Sequence, residues 1–324
     1  MARIDLSIIR NQVNLLTSRN SMNTGDLVKY VDFKDPTQFV QMPDWFEKIS
    51  MIPGLPFGFV CEFVGQPDAG KSTAGIKALV AAQKQGFYAI LVDAERKFSY
   101  PRFTAMGGDP TQLLVIAENS IEETFNALEI AERSIAQNDP ESKTLVVFDS
   151  IAVQSTRSDL AKSTLDPQVM ADQAKVLKRM LRRQVILLQE TRVCLVCINQ
   201  MYGNPNPAAH GAPSLSGGKG VEYAKAISIV FQRAGKLPPK TVAGVALDRG
   251  IITKISIKKN HLQLAPLPVT FALLHVTPDD MVIAPPKKKG KKGKDVVETT
   301  DGEEIELEET EAIDVLLNDE GESE

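Results

Sequence analysis

Residues 65–72 read Gly65-Gln66-Pro67-Asp68-Ala69-Gly70-Lys71-Ser72, a complete G-x-x-x-x-G-K-[ST] pattern continued by Thr73. An apolar strand-like run at 59–64 precedes it and a helical run at 73–85 follows it. Glycines let the backbone curl so that its N–H groups face inward. The start of the next helix adds positive potential, so such a loop is built to hold phosphates. The Lys71 amine is placed to reach the β- and γ-phosphates of a nucleoside triphosphate, and the Ser72 hydroxyl to ligate Mg²⁺.

A loop of this kind needs a sheet, and the rest of the chain supplies one. Strands are predicted at 59–64, 87–93, 113–116, 144–149, 193–198, 226–232, 252–258 and 268–275, and helices at 71–85, 100–106, 121–137 and 169–191. Alternation of this sort predicts βαβ units, and hence an α/β fold with a mainly parallel twisted sheet flanked by helices. Ahead of it, residues 4–16 read as an amphipathic helix and 26–40 as a strand, separated by a polar stretch. This arm, 1–45, either packs on its own core or docks on a neighbouring subunit; the core is expected over 46–284.

Charge marks off the remainder, 285–324. The chain carries a formal charge of −4, yet fourteen of its 41 acidic residues fall within 295–324, where there is no Lys or Arg. Just before them, residues 287–294 hold six lysines and two glycines. Like-charged blocks repel, so a basic linker followed by a disordered acidic tail is expected. That tail is either a solubilising extension or a polyanion mimic competing with nucleic acid for a basic surface on the body. No apolar run is long enough to span a bilayer, and the first residues lack a secretory pattern, so a cytoplasmic location without membrane attachment is expected. Cys61, Cys194 and Cys197 all sit in apolar strand-like runs. Residues three apart on a strand point to opposite faces, so Cys194 and Cys197 read as buried core thiols rather than a redox pair.

The carboxylates fall where phosphate chemistry needs them. Leu145-Val146-Val147-Phe148-Asp149-Ser150 is a buried strand ending in an acid, which would hold Mg²⁺ through water opposite Ser72. The preceding strand ends in Val92-Asp93-Ala94-Glu95. Carboxyl ends of parallel strands line the ligand crevice, so Glu95 either orients and deprotonates the water attacking the γ-phosphate or serves as a capping or salt-bridging acid.

With Cys197-Ile198-Asn199-Gln200, Ser216-Gly217-Gly218-Lys219 and Lys258-Lys259-Asn260-His261 added in order, the arrangement resembles the RecA-type DNA recombinases, in a divergent form such as phages carry. The resemblance covers roughly 45–275. It implies an ATP- and Mg²⁺-dependent ATPase in which Gln200 senses the γ-phosphate and couples it to the Gly- and Pro-rich loop 201–219. That loop, containing Tyr202, Gly203, Gly217, Gly218 and Lys219, and a shorter one at 155–167, containing Arg157 and Lys162, are implied to bind single-stranded DNA. Lys259 is implied to reach the neighbour's γ-phosphate across a subunit interface. His261 stands where bacterial members carry a second lysine, and Ser99 and Arg102 where they present an acid and a tyrosine to adenine; Tyr100 or Arg102 remains suited to pack on the base. The chain after 275 is also too short for the small C-terminal domain of bacterial members, so the lysine segment takes over weak contact with duplex.

The reading that follows is a recombinase forming filaments on single-stranded DNA and promoting pairing and strand exchange with a duplex. Its partners would be both DNA forms, further copies of itself, and single-strand-binding and mediator proteins. The alternatives are a hexameric helicase or branch-migration motor on the same core, and a non-filamenting accessory ATPase that assists annealing.

Overall fold

The computed structural model of the chain describes residues 35–151, 153–161, 169–202, 214–215, 219–242, 245–247, 249–262, 271–277, 281–283, 287–289, 295–298 and 304–306. The expected helix at 4–16 and most of the expected strand at 26–40 lie outside these. So do Lys162, Gly203, Gly217 and Gly218.

The chain divides into two units, Met1–Gln38 and Phe39–Glu324. In the first, the described residues make a 3₁₀ turn, Pro36–Gln38, with the Thr37 amide donating to the Asp35 carboxylate at 2.8 Å. The second opens on β1 (Phe39–Gln41), α1 (Asp44–Ser50) and β2 (Gly54–Pro56), with β1 and β2 paired antiparallel. Phe39, Val40 and Phe46 are fully buried, so the body begins several residues before the expected boundary at 46.

Next come β3 (Val60–Gly65), α2 (Lys71–Lys84), β4 (Tyr88–Asp93), α3 (Tyr100–Ala105), β5 (Leu113–Ile116), α4 (Ile121–Asn138) and β6 (Thr144–Asp149). They are followed by α5 (Arg157–Leu160), α6 (Val169–Glu190), β7 (Val193–Tyr202), β8 (Ser214–Leu215), α7 (Lys219–Ala224) and β9 (Lys225–Lys236). A hairpin, β10 (Lys240–Val242) and β11 (Val245–Leu247), leads to β12 (Ile251–Asn260), β13 (Ala272–Val276) and β14 (Met281–Ile283). Helix starts carry the chemistry that fixes them: the Ser120 hydroxyl accepts from the Glu123 amide at 3.2 Å, and Thr156 and Asp159 cap α5 reciprocally.

One ten-stranded sheet organises the body, in the order β14-β13-β12-β9-β3-β7-β6-β4-β5, with β8 attached to β7. From β9 through β5 neighbouring strands run parallel, while β12, β13 and β14 add an antiparallel meander. Hydrophobic patterning identifies β12 and β13 but not the short β14, and it does not encode their direction. The parallel strands are covered on both faces, as such sheets must be. Val146, Phe148, Leu195 and Cys197 face Phe125 and Leu128 of α4 and Leu177, Leu181 and Leu188 of α6 in one core. On the other face α2 approaches so closely that a Cβ on Gly75 would lie 2.9 Å from Val147 Cγ1.

All three cysteines are fully buried and unpaired, and burial pushes the Cys194 and Cys197 thiols well up. Among the described residues no helix is long and apolar enough to cross a membrane. Within 285–324, where a linker and structureless tail are expected, the described residues are three short strands. These are β15 (Lys287–Lys289), β16 (Asp295–Glu298) and β17 (Glu304–Glu306), paired antiparallel with Lys289 opposite Asp295.

Candidate active site

Register brings the sequence landmarks to one edge of the sheet. Gly65 at the end of β3 pairs with Gln200 on β7, and Asp93 at the end of β4 pairs with Asp149 on β6. The loop between β3 and α2, Gln66, Pro67, Asp68, Ala69 and Gly70, is braced from behind by the meander. The Thr253 hydroxyl donates to the Ala69 carbonyl at 3.1 Å. Gly70 takes the left-handed φ of +88°, and a Cβ there would press to 3.1 Å from Val276. No side chain caps the start of α2, which leaves its first amides open to an anion.

Lys71 is buried and its amine donates to the carbonyls of Gly65, at 3.0 Å, and Gln66. Burial pulls its pKa below the ordinary lysine value, against the opposing pull of Asp149, Asp68 and Glu95. Asp149 accepts a hydrogen bond from the Ser72 hydroxyl, so the expected metal-binding pair is in contact. Burial raises the Asp149 carboxyl, and that bond only partly offsets it. Among the described residues no three His, Cys, Asp or Glu side chains cluster as a metal site of their own.

Glu95 is held more firmly than its sequence position indicates. The Asp149 carbonyl accepts from the Ala94 amide at 2.8 Å, and the Asp93 carboxylate accepts from the Lys97 and Phe98 amides at 3.1 and 3.0 Å. Arg96 anchors the same turn through the Ala117 carbonyl at 2.9 Å and Asn119 at 2.7 Å. Glu95 Oε1 accepts from the Ser150 hydroxyl at 2.8 Å and from Gln200 Nε2 at 3.1 Å, and Oε2 accepts from Lys97 at 2.8 Å. Burial alone would raise this carboxyl; bonds from Lys97, Ser150 and Gln200 outweigh it and hold the group below the usual glutamate value. Ser150 and Lys97 are additions to the site that motif spacing gives no reason to select.

The flanking candidates are distributed unequally. Arg102 donates to the Thr73 hydroxyl at 2.6 Å, against the start of α2, whereas Tyr100 is exposed and stacks edge-on against Phe98 with ring centroids 4.9 Å apart. Arg157 is exposed and pairs with Glu123 at 3.4 Å. The backbone of Tyr202 ends β7 and that of Lys219 begins α7. Lys259 lies back from this edge, level with the middle of β3: it pairs with Ser228, which pairs with Glu62, whereas Gly65 pairs with Phe231 further along β9. Its amine donates to the Glu222 carbonyl at 3.3 Å, and the register of β12 slips between Ile257 and Lys259, so the two lysines do not simply alternate faces.

A second polar group lies beneath this edge. Glu62, in the middle of β3, is fully buried and accepts from Lys225 at 2.8 Å, Ser228 at 2.8 Å and Asn199 at 2.9 Å. A charged residue inside an otherwise apolar strand next to a phosphate loop is a signal available in the sequence, although the run reads as apolar when averaged.

A phosphate loop, a strand-end acid beside its serine, and a second acid tied to a glutamine near the end of β7 define a P-loop protein with carboxylates beside its phosphate loop. The RecA N-terminal domain family matches residues 46–276, and the chain belongs to the RecA family. Among its relatives, the protein RecA of Mycoplasma genitalium is 28% identical over 209 residues, covering 64% of this chain and 58% of that protein. Those of Cytophaga hutchinsonii and Thermus aquaticus are 28% and 27% identical over 218 residues, covering 65% of this chain and 56% and 59% of theirs. The chain thus spans less than three fifths of the length of these relatives.

Proposed function

We propose that this chain is a DNA-dependent ATPase that assembles as a filament on single-stranded DNA and promotes homologous pairing and strand exchange. The observation that carries the reading is the bond from Gln200 to Glu95. It ties the acid suited to activate water to β7, whose end enters the loop 201–219 read as DNA-binding.

The residues fit ATP with Mg²⁺. The uncapped start of α2 and the buried Lys71 amine suit a triphosphate, and the contacting Ser72–Asp149 pair suits a hard cation. Mg²⁺ would neutralise charge on the phosphate oxygens. Lys71 exchanges its loop carbonyls for those oxygens, and Arg102 and Tyr100 flank the base. Glu95 orients a water and takes its proton, while Gln200 exchanges Glu95 for the γ-phosphate and transmits its presence along β7. Lys259, set back from its own phosphate loop, acts on the next subunit's nucleotide, which makes hydrolysis depend on assembly. Arg157, Lys162, Tyr202, Gly203, Gly217, Gly218 and Lys219 form the DNA-binding set, duplex DNA joins during exchange, and single-strand-binding and mediator proteins are the expected accessory partners.

The test is electron microscopy of the full chain on long single-stranded DNA with Mg²⁺ and a slowly hydrolysed ATP analogue. Continuous helical filaments that vanish without nucleotide are expected. Closed rings or bare DNA would overturn the reading.

A further inference from the structure

Glu62 and Lys225 form an ion pair at 2.8 Å with side chains 0% and 2% exposed. A pair so deep is weak support for a fold, because desolvating both charges offsets most of their attraction, and apolar residues of similar volume commonly serve as well. Its connections suggest another role. On one side, Asn199 Nδ2 donates to Glu62 and Asn199 Oδ1 accepts from the Gln200 amide at 2.9 Å, while the Gln200 side chain donates to Glu95. On the other, Lys225 also pairs with Glu222 in α7, the helix that follows 216–218, and the Glu222 carbonyl accepts from Lys259. Hydrogen bonds and ion pairs therefore run without a gap from Lys259, level with the middle of β3, to Glu95 at the phosphate-loop edge. The route passes through the fully buried centre of β3.

We propose that Lys225, Glu62 and Asn199 are positioning residues that couple α7 to the placement of Gln200 beside Glu95. The proposal rests on the nucleotide-dependent reading above. A change in Gln200 on nucleotide binding moves Asn199, alters the hold of Glu62 on Lys225 and shifts α7; a displacement of α7 acts in the reverse direction, because coupling between two sites is reciprocal. Packing alone would transmit no dependence on the charge pair, and that difference can be measured.

The experiment is hydrogen exchange by mass spectrometry over 219–228 in the full chain, with and without Mg²⁺ and a slowly hydrolysed ATP analogue, in the absence of DNA. The wild type is compared with the doubly neutral E62Q/K225M variant and the milder S228A. Wild type should show about threefold or greater slowing of exchange with nucleotide. The double variant should bind the analogue within about twofold of wild type yet lose that slowing, and S228A should show part of the loss. Hydrolysis rates with and without single-stranded DNA complete the set. Stimulation should fall about tenfold in the double variant, while the unstimulated rate changes less than about threefold.

A wild type that binds nucleotide without any change over 219–228, or a folded double variant that keeps both the slowing and the stimulation, overturns the proposal alone. If the double variant does not fold, S228A decides by the same criteria. A wild type that binds no nucleotide removes the underlying reading and this proposal together.

Discussion

Glu95 is ionised at pH values where an ordinary glutamate begins to protonate, although its partial burial pulls the other way. As the proposed base, it should keep hydrolysis active down to an acid limb below the usual glutamate range. Replacing it with Gln should lower kcat by about 100-fold or more with nucleotide affinity nearly unchanged, measured by steady-state hydrolysis and a fluorescent nucleotide. Lys97 supplies one of the three bonds that depress its pKa, from an exposed position. Lys97→Ala should therefore move the acid limb of the pH–rate profile upward, toward the ordinary glutamate value. A limb that stays put would show that Ser150 and Gln200 suffice. Lys97 was not legible from sequence because nothing in a lysine two residues past an acid specifies that the chain turns back. The turn is set by Asp93 and Arg96, whose contacts are with residues distant in the sequence or with backbone amides.

Helices α4 and α6 meet around Glu132, which is buried and accepts both short bonds, 2.6 and 2.7 Å, from the Gln184 side-chain Nε2. Burial pushes its pKa up to about 8. A carboxyl raised in the folded state favours folding when protonated. Its contribution is complete below the unfolded value near 4.5 and is lost as pH rises toward about 8. The melting temperature should fall across that window, and Glu132→Gln should flatten the fall; an unchanged slope would mean that other groups dominate. Gly75 on α2 gives a second prediction. Alanine there would gain about 1 kcal/mol of helix propensity. Its Cβ would meet stiff, β-branched Val147 at 2.9 Å, and overpacking typically costs about 1–3 kcal/mol, so Gly75→Ala should be net destabilising in a denaturant titration. Strands and helices themselves were largely legible: the expected helix at 121–137 is α4, and the expected strands at 113–116 and 144–149 are β5 and β6. Periodicity does not carry strand direction, so the antiparallel turn at β12 was not foreseen. The short α1, entered through Pro43, leaves too few residues for a pattern.

Across the whole chain, charge is divided between a basic majority and an acidic end. Removing 295–324 takes away fourteen acidic residues and no basic ones. The remaining body should bind single-stranded DNA more tightly at low salt and with a steeper dependence on salt concentration, measured by fluorescence anisotropy. Equal affinity at every salt concentration would assign the tail to solubility alone.

The three cysteines have a practical consequence for studying such movements. Each has no exposed surface and no disulfide partner, and burial holds two of the thiols protonated well above neutrality. Maleimide reagents, which require an accessible thiolate, should leave the folded native protein unmarked. A single cysteine introduced at exposed Ser158 would then accept a fluorophore alone, turning the chain into an optical reporter without first stripping thiols from its core.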